Sequence, residues 1–168
     1  MEFSFETNPN TMETLTEKEA HEKLLKYQMI EATEARNIEI IHRAYKYLDD
    51  QNLEAWRNLM SADCQGYLGS TEEPMNFDDF IPIIKSFYAA FPDYKHITED
   101  IFAKGDYVVS RMRYTGTHLK KFMGLDSTGK KIEYKGIFIF KLANGKITEV
   151  YGIEDELKMM SQLGLQLQ

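Results

Sequence analysis

The chain has a single cysteine, Cys64, in 168 residues. That excludes a disulfide within one copy and any cysteine metal cluster, and nothing near Cys64 would activate its thiol, so it reads as inert. Positive charge is also scarce, with 20 Lys and Arg against 27 Asp and Glu and a formal net charge of -7. No segment interleaves basic and aromatic residues as a nucleic-acid surface requires. Long apolar runs are missing too, since the longest, "GIFIF", is far too short to span a bilayer. The opening stretch "MEFSFETNPNTMETLTEKEAHEKL" carries acids where a secretory signal carries bases. The expectation is a cytoplasmic protein that engages neither nucleic acid nor membrane. Its four histidines lack a second ligand at metal spacing, so no metal is expected.

What remains is a chain with 43% hydrophobic and 28% charged residues, the balance of a folded globular domain. Residues 1–15 read as unstructured. Thr16 and Glu19 then form a capping box for a charged helix whose apolar stripe, Ala20, Leu24 and Leu25, is too thin for a core. Residues 1–35 are therefore read as an N-terminal extension. From Asn37 the pattern strengthens, with Ile38, Ile41, Tyr45 and Leu48 at helical spacing. Asn52 caps a short helix containing Leu53, Trp56 and Met60, and "CQGYLGS" follows as a strand and turn. A third helix carries Phe80, Ile84, Phe87 and Phe91; starting it at Asp79 places Pro82 in the first turn.

Beyond Phe91-Pro92-Asp93 the pattern changes to strands. "HITEDIFA" and "YVVSRMRYTG" flank Lys104-Gly105-Asp106, and "KIEYKGIFIFKL" and "KITEVYGI" flank Ala143-Asn144-Gly145. Short glycine-bearing turns between such runs predict hairpins, and four strands in succession predict an antiparallel meander. In the third strand Gly136, Phe138 and Phe140 alternate with Ile137 and Ile139, so both faces are apolar and both need cover. Helices followed by a sheet indicate an α+β fold, with helices closing one face and the other offered to a homodimer contact.

The marks Phe91-Pro92-Asp93, Gly116-Thr117-His118, Phe122-Met123-Gly124, Thr128-Gly129-Lys130, Asn144-Gly145-Lys146-Ile147 and the closing run from Asp155 to Gly164 together resemble the SnoaL-like polyketide cyclases, also labelled ester cyclases. That family belongs to the nuclear-transport-factor-2-like superfamily. The resemblance spans residues 36–164, leaving 165–168 as a tail. It implies a cone-shaped α+β barrel with a curved antiparallel sheet closed by the N-terminal helices, a cavity between them, and usually a homodimer. It also implies ring closure of a small hydrophobic carbonyl or ester compound without a cofactor. A base removes a proton alpha to a carbonyl, and an acid stabilises the oxyanion. The same barrel hosts isomerases, dehydratases, hydrolases and plain binding domains, so the fold leaves the chemistry open. Two positions depart from the family pattern: Tyr151-Gly152 stands where cyclases commonly read Trp-Asp, and Tyr67 where many relatives have His.

Four residues are the candidate catalytic set: Asp155 as base, His118 as proton shuttle, and Tyr67 or Tyr151 as oxyanion donor. Strand alternation puts Asp155 on one face with Glu149, Tyr151 and Ile153. An alternative role for Asp155 is the N-cap of the last helix. If the opposite face of that strand looks inward, Glu154 takes the role of base. Arg111 and Arg113 share a face and suit either an anionic ligand or a salt-bridged surface. His96 reads only as the start of a strand. The alternative to an enzyme is a non-catalytic pocket for a small apolar ligand or a dimerisation domain, and a third reading is an interaction module docking through the N-terminal helix.

Overall fold

The computed structural model describes residues 16–69 and 73–165. The chain divides into two compact units, with the boundary between Ala32 and Thr33. In the first unit the capping box forms as expected: the Thr16 N–H donates to Glu19 Oε2 at 2.8 Å, and the Glu19 N–H to Thr16 Oγ1 at 3.3 Å. Leu24, Leu25 and Tyr27 are exposed. Helix α1, Glu17–Asp49, is continuous, because no proline or glycine interrupts residues 17–49. Expectations for residues 1–15 and 166–168 lie outside the described residues.

In the second unit, α1 turns from exposed to buried at Asn37, Ile40, Ile41, Ala44 and Tyr45, the spacing of one helical face. Its polar members fasten a hairpin: Asn37 Nδ2 donates to the Gly105 carbonyl at 3.1 Å, and the Gly105 N–H donates to Glu34 Oε1 at 2.7 Å. Helix α2, Leu53–Arg57, starts where Asn52 caps it, accepting from the Ala55 N–H at 3.1 Å. Strands β1, Met60–Leu68, and β2, Met75–Asn76, follow. Helix α3, Phe77–Ala90, begins two residues before the expected start. Asn76 is its cap, accepting from the Asp78 N–H at 2.8 Å, so Pro82 falls past the first turn and denies the Asp78 carbonyl its helical donor.

Strands β3 (Lys95–Lys104), β4 (Tyr107–Thr117), β5 (Lys131–Ala143) and β6 (Lys146–Glu154) form the expected antiparallel meander, and α4, Glu156–Leu163, closes the chain. The β5–β6 turn has Asn144 at φ 51° and Gly145 at φ 74°, the left-handed pair that a two-residue hairpin demands. The sheet order is β2-β1-β6-β5-β4-β3. The sheet departs from the expected barrel in two ways. It is mixed, because β1 runs parallel to β6, and it stays open, with β2 and β3 as its edges.

The irregularities in this sheet matter more than its regular ladders. On β6, Glu149 pairs with Lys141 and Ile147 with Leu142, so Thr148 is an extra residue and the strand is bulged there. Alternation resumes in the opposite phase. Ile147 is buried, and beyond the bulge Val150 and Gly152 are the buried residues while Tyr151 and Ile153 are exposed. The inward face of the last strand is therefore even-numbered. Cys64 sits in the core at 1% exposure, where burial pushes its thiol up to about 11. Among the described residues, no helix is long and apolar enough to cross a membrane.

Candidate functional site

Between the inward face of the sheet and the helices of the second unit lies a pocket of about 410 Å³. Most of its wall is aromatic or aliphatic, supplied by Trp56, Phe77, Phe80, Ile84, Phe87, Phe138, Phe140 and Met159 among others. Among the described residues, no lysine or arginine lines it, and its acids are Glu154 and Glu156. The bulge in β6 carries Glu154 to this face, and a glycine makes room for it. Gly136 is its register partner on β5, and a Cβ at Gly136 would lie 3.0 Å from Glu154 Cγ and 3.1 Å from Tyr114 Cε2.

Burial pushes the Glu154 carboxyl up to about 7; the neighbouring Glu156 charge adds to the rise, and interaction with the Tyr114 hydroxyl opposes it. Glu154 keeps partial exposure because it lines the pocket. The Tyr114 hydroxyl is buried and has no partner in hydrogen-bonding geometry among the described residues. Its link to Glu154 is thus one of proximity and charge.

Four further tyrosines, Tyr45, Tyr88, Tyr94 and Tyr134, face the same space. The Tyr94 and Tyr134 hydroxyls share a hydrogen bond of 2.6 Å, and Tyr45 shares one of 2.7 Å with Ser110. Burial pushes all five phenols above their ordinary range, which keeps them protonated at neutral pH. In a pair such as Tyr94 and Tyr134 one hydroxyl donates, and the accepting one keeps its own proton to offer. His96 also lines the pocket, with its Nδ1 2.7 Å from Asp49 Oδ1.

The four candidate residues named from the sequence do not converge on this space. Asp155 caps α4, accepting from the Lys158 N–H at 3.0 Å, and is exposed. His118 is fully buried outside the pocket lining, stacked on Phe91 at 5.2 Å, with Nδ1 3.1 Å from Thr128 Oγ1. Tyr67 and Tyr151 stack on one another at 4.7 Å on the outward face of β1 and β6, and the Tyr151 hydroxyl donates to Glu149 at 2.7 Å. Arg111 and Arg113 belong to a surface ion network: Arg111 pairs with Glu99 and Asp100, Arg113 with Glu99 at 3.2 Å, and Lys135 with Glu99 at 3.2 Å. The alternation that groups Asp155 with Glu149, Tyr151 and Ile153 holds, but beyond the bulge at Thr148 that face looks outward, and the bulge leaves no mark in the sequence. Glu154, the alternative under reversed facing, is the acid that reaches the pocket. His96 was overlooked because its partner, Asp49, is 47 residues away in the chain.

Gly152 explains one departure from the family pattern. A Cβ there would lie 2.2 Å from Phe138 Cε1, so the Phe138 ring fills the space that a side chain at 152 would enter.

The sequence profile of the SnoaL-like polyketide cyclases matches residues 39–163. Among solved structures, AclR of Streptomyces galilaeus, a candidate hydroxylase, superposes with a TM-score of 0.72 at 22% identity, covering 77% of this chain and 96% of its own. IdmH of Streptomyces antibioticus, a candidate polyketide cyclase, gives 0.69 at 28% identity over 77% and 99%. A candidate polyketide cyclase of Bacillus cereus gives 0.66 at 25% identity over 91% and 87%. No curated protein matches the sequence. With the profile spanning most of the chain and the α+β fold shared with these structures, the protein belongs to the SnoaL-like polyketide cyclase family.

Proposed function

We propose that the pocket binds a small, hydrophobic carbonyl or ester compound and that Glu154 is the base that removes a proton alpha to its carbonyl. The observation that carries this reading is a carboxyl held near 7 on the wall of an otherwise apolar pocket. A base of that strength is about half ionised at neutral pH and still strong enough to accept a carbon-bound proton. The developing enolate oxygen is met by the Tyr94 and Tyr134 pair, whose spare O–H is a donor in a water-poor setting. Proton transfer of this kind is carried by side chains alone. Among the described residues the lining has no lysine or arginine, which favours neutral ligands over free carboxylates. Asp155 keeps its cap, and Tyr67 and Tyr151 face away from the chemistry.

The test is deuterium exchange at the alpha carbons of 2-tetralone, a small apolar ketone, followed by NMR in D2O with the full chain. Wild type is expected to accelerate exchange, and Glu154→Gln to remove about 100-fold or more of that acceleration. Acceleration that survives in Glu154→Gln refutes the role of Glu154. The aromatic character of the lining supports a second reading, retention of an apolar ligand without chemistry; tight 2-tetralone binding with no exchange would favour it.

We also propose that the outward sheet face is a homodimer contact. Ile137, Ile139 and Ile153 are 51%, 39% and 69% exposed, and they are neighbours in register, with Ile137 opposite Ile153 and Ile139 opposite Tyr151. A contiguous apolar row flanked by the Glu99 ion network is suited to self-association.

A further inference from the structure

We propose that Asp49 and His96 form a second proton-transfer unit on the pocket wall, with His96 Nε2 exchanging a proton with the substrate oxygen and Asp49 positioning the ring. The inference rests on the reading of Glu154 as base and supplies the acid that such a base needs.

Asp49 is the last residue of α1 and His96 the second of β3. One carboxylate oxygen, Asp49 Oδ1, accepts from the His96 backbone N–H at 3.0 Å and lies 2.7 Å from Nδ1. A carboxylate only accepts, so Nδ1 carries a hydrogen and Nε2 is the nitrogen left to take up or release a proton. The ring cannot turn freely. Tyr45 covers it at 5.4 Å, and Tyr94 and Tyr114 meet it edge-on at 5.1 and 5.5 Å. The side chain is 10% exposed and lines the pocket.

The surroundings contribute few competing charges. From α1 come Asp49 and Tyr45, from α3 Tyr88, from α4 Glu156, and from the strands Tyr114, Tyr134 and Glu154, while Tyr94 precedes β3. Lys95 Nζ lies 3.9 Å from Asp49 Oδ2, with its side chain 55% exposed. Tyr114 is the shared wall: its ring contacts His96, and its hydroxyl acts on Glu154. A tie between helix end and strand start would be satisfied by the backbone N–H alone; placing an oriented imidazole in the pocket goes further.

The step balances without a co-reactant. Glu154 takes the alpha proton, the C–H electron pair becomes the C=C bond of the enol, the carbonyl π pair moves to oxygen, and that oxygen receives the proton from imidazolium Nε2. Glu154 ends protonated and His96 neutral, and the reverse passage restores both.

The experiment is 2-tetralone exchange by the full chain between pH 5 and 9, for wild type, His96→Gln, His96→Asn, Asp49→Asn and Glu154→Gln, with folding checked by near-ultraviolet circular dichroism. In wild type exchange is expected to rise with pH as Glu154 ionises. The His96 variants should lose about 100-fold in kcat with little change in KM. Asp49→Asn should lose less, and the 15N spectrum of its labelled histidines should show neutral His96 as mixed tautomers where neutral His96 in wild type carries its hydrogen on Nδ1. Full activity in a folded His96 variant, beside an inactive Glu154→Gln, would reduce the pair to a structural tie and leave the Glu154 reading standing. Full activity in both His96 and Glu154 variants, or no exchange by wild type, would overturn both readings.

Discussion

Replacing Glu154 by glutamine should stabilise the protein, by an amount that depends on pH. The carboxyl ionises near 4.5 when free and at about 7 in the fold. Below about pH 4.5 folded and unfolded chains both hold the proton and the residue costs nothing. Between the two values the unfolded chain releases its proton while the folded chain keeps it, so stability falls as pH rises. Above about 7 both are ionised and the cost is complete. At about 1.4 kcal/mol per tenfold difference in proton affinity the full cost is roughly 3 kcal/mol, trimmed to about 2 to 3 kcal/mol by solvent entering through the pocket. Glutamine cannot ionise and escapes this cost. Urea denaturation of both proteins from pH 4.5 to 8.5 gives the difference directly, and the other carboxylates cancel. The difference should be small at the acid end and should reach a plateau favouring Glu154→Gln above pH 8, where its melting temperature should exceed wild type by about 4 to 12 °C. A difference that stays flat across the range, or grows toward acid, would refute the assignment of a raised, buried carboxyl.

Gly152→Ala should cost about 1 to 3 kcal/mol through overlap with the Phe138 ring, and Phe138→Ala in the same chain should recover part of it; a double-mutant cycle by urea denaturation reads the coupling. Thr16→Ala should remove about 1 kcal/mol from the N-terminal turn of α1, seen as faster amide exchange at residues 17–20 with unchanged melting of the second unit. Ile153→Glu should halve the sedimenting mass if the outward face joins two copies, whereas a monomeric wild type would dismiss that contact.

How much of this was legible beforehand follows from where each signal resides. The meander and its turns could be read because strand periodicity and Asn144-Gly145 are local features. The capping box at Thr16 is local as well. The parallel pairing of β1 with β6 could not be read, since it joins residues some ninety positions apart, Met60 with Ile147 and Gly66 with Val150, and parallel partners share no turn. The bulge at Thr148 is invisible for a related reason. It shows only in the pairing of β6 with β5, where Glu149 meets Lys141 and Ile147 meets Leu142, and one inserted residue reverses which side chains enter the pocket. The family resemblance points to the last strand, and the bulge decides which of its two adjacent acids faces inward.

The inward pairs of β5 and β6 suggest how the acid came to sit at 154. Phe138 is opposite Gly152, and Gly136 is opposite Glu154. In each pair one strand contributes a bulky side chain and the other a glycine, and the roles alternate from one pair to the next. Where the family pattern has an acid, at 152, this chain has glycine beneath the Phe138 ring. An acid one step further along the same face needs a glycine across from it, and Gly136 is that residue. Gly136→Ala therefore tests the arrangement without touching a titrating group. The added Cβ would stand 3.0 Å from Glu154 Cγ, 3.0 Å from the Ile153 carbonyl oxygen and 3.1 Å from Tyr114 Cε2. Something must give, and the carboxylate side chain yields more readily than the backbone. The expected outcome is a folded protein destabilised by about 1 to 3 kcal/mol, whose 2-tetralone exchange falls by about 10-fold or more because the base is displaced from its working position. Normal exchange in a folded Gly136→Ala protein would mean that Glu154 does not depend on the space this glycine leaves, and the case for a relocated acid would fail with it.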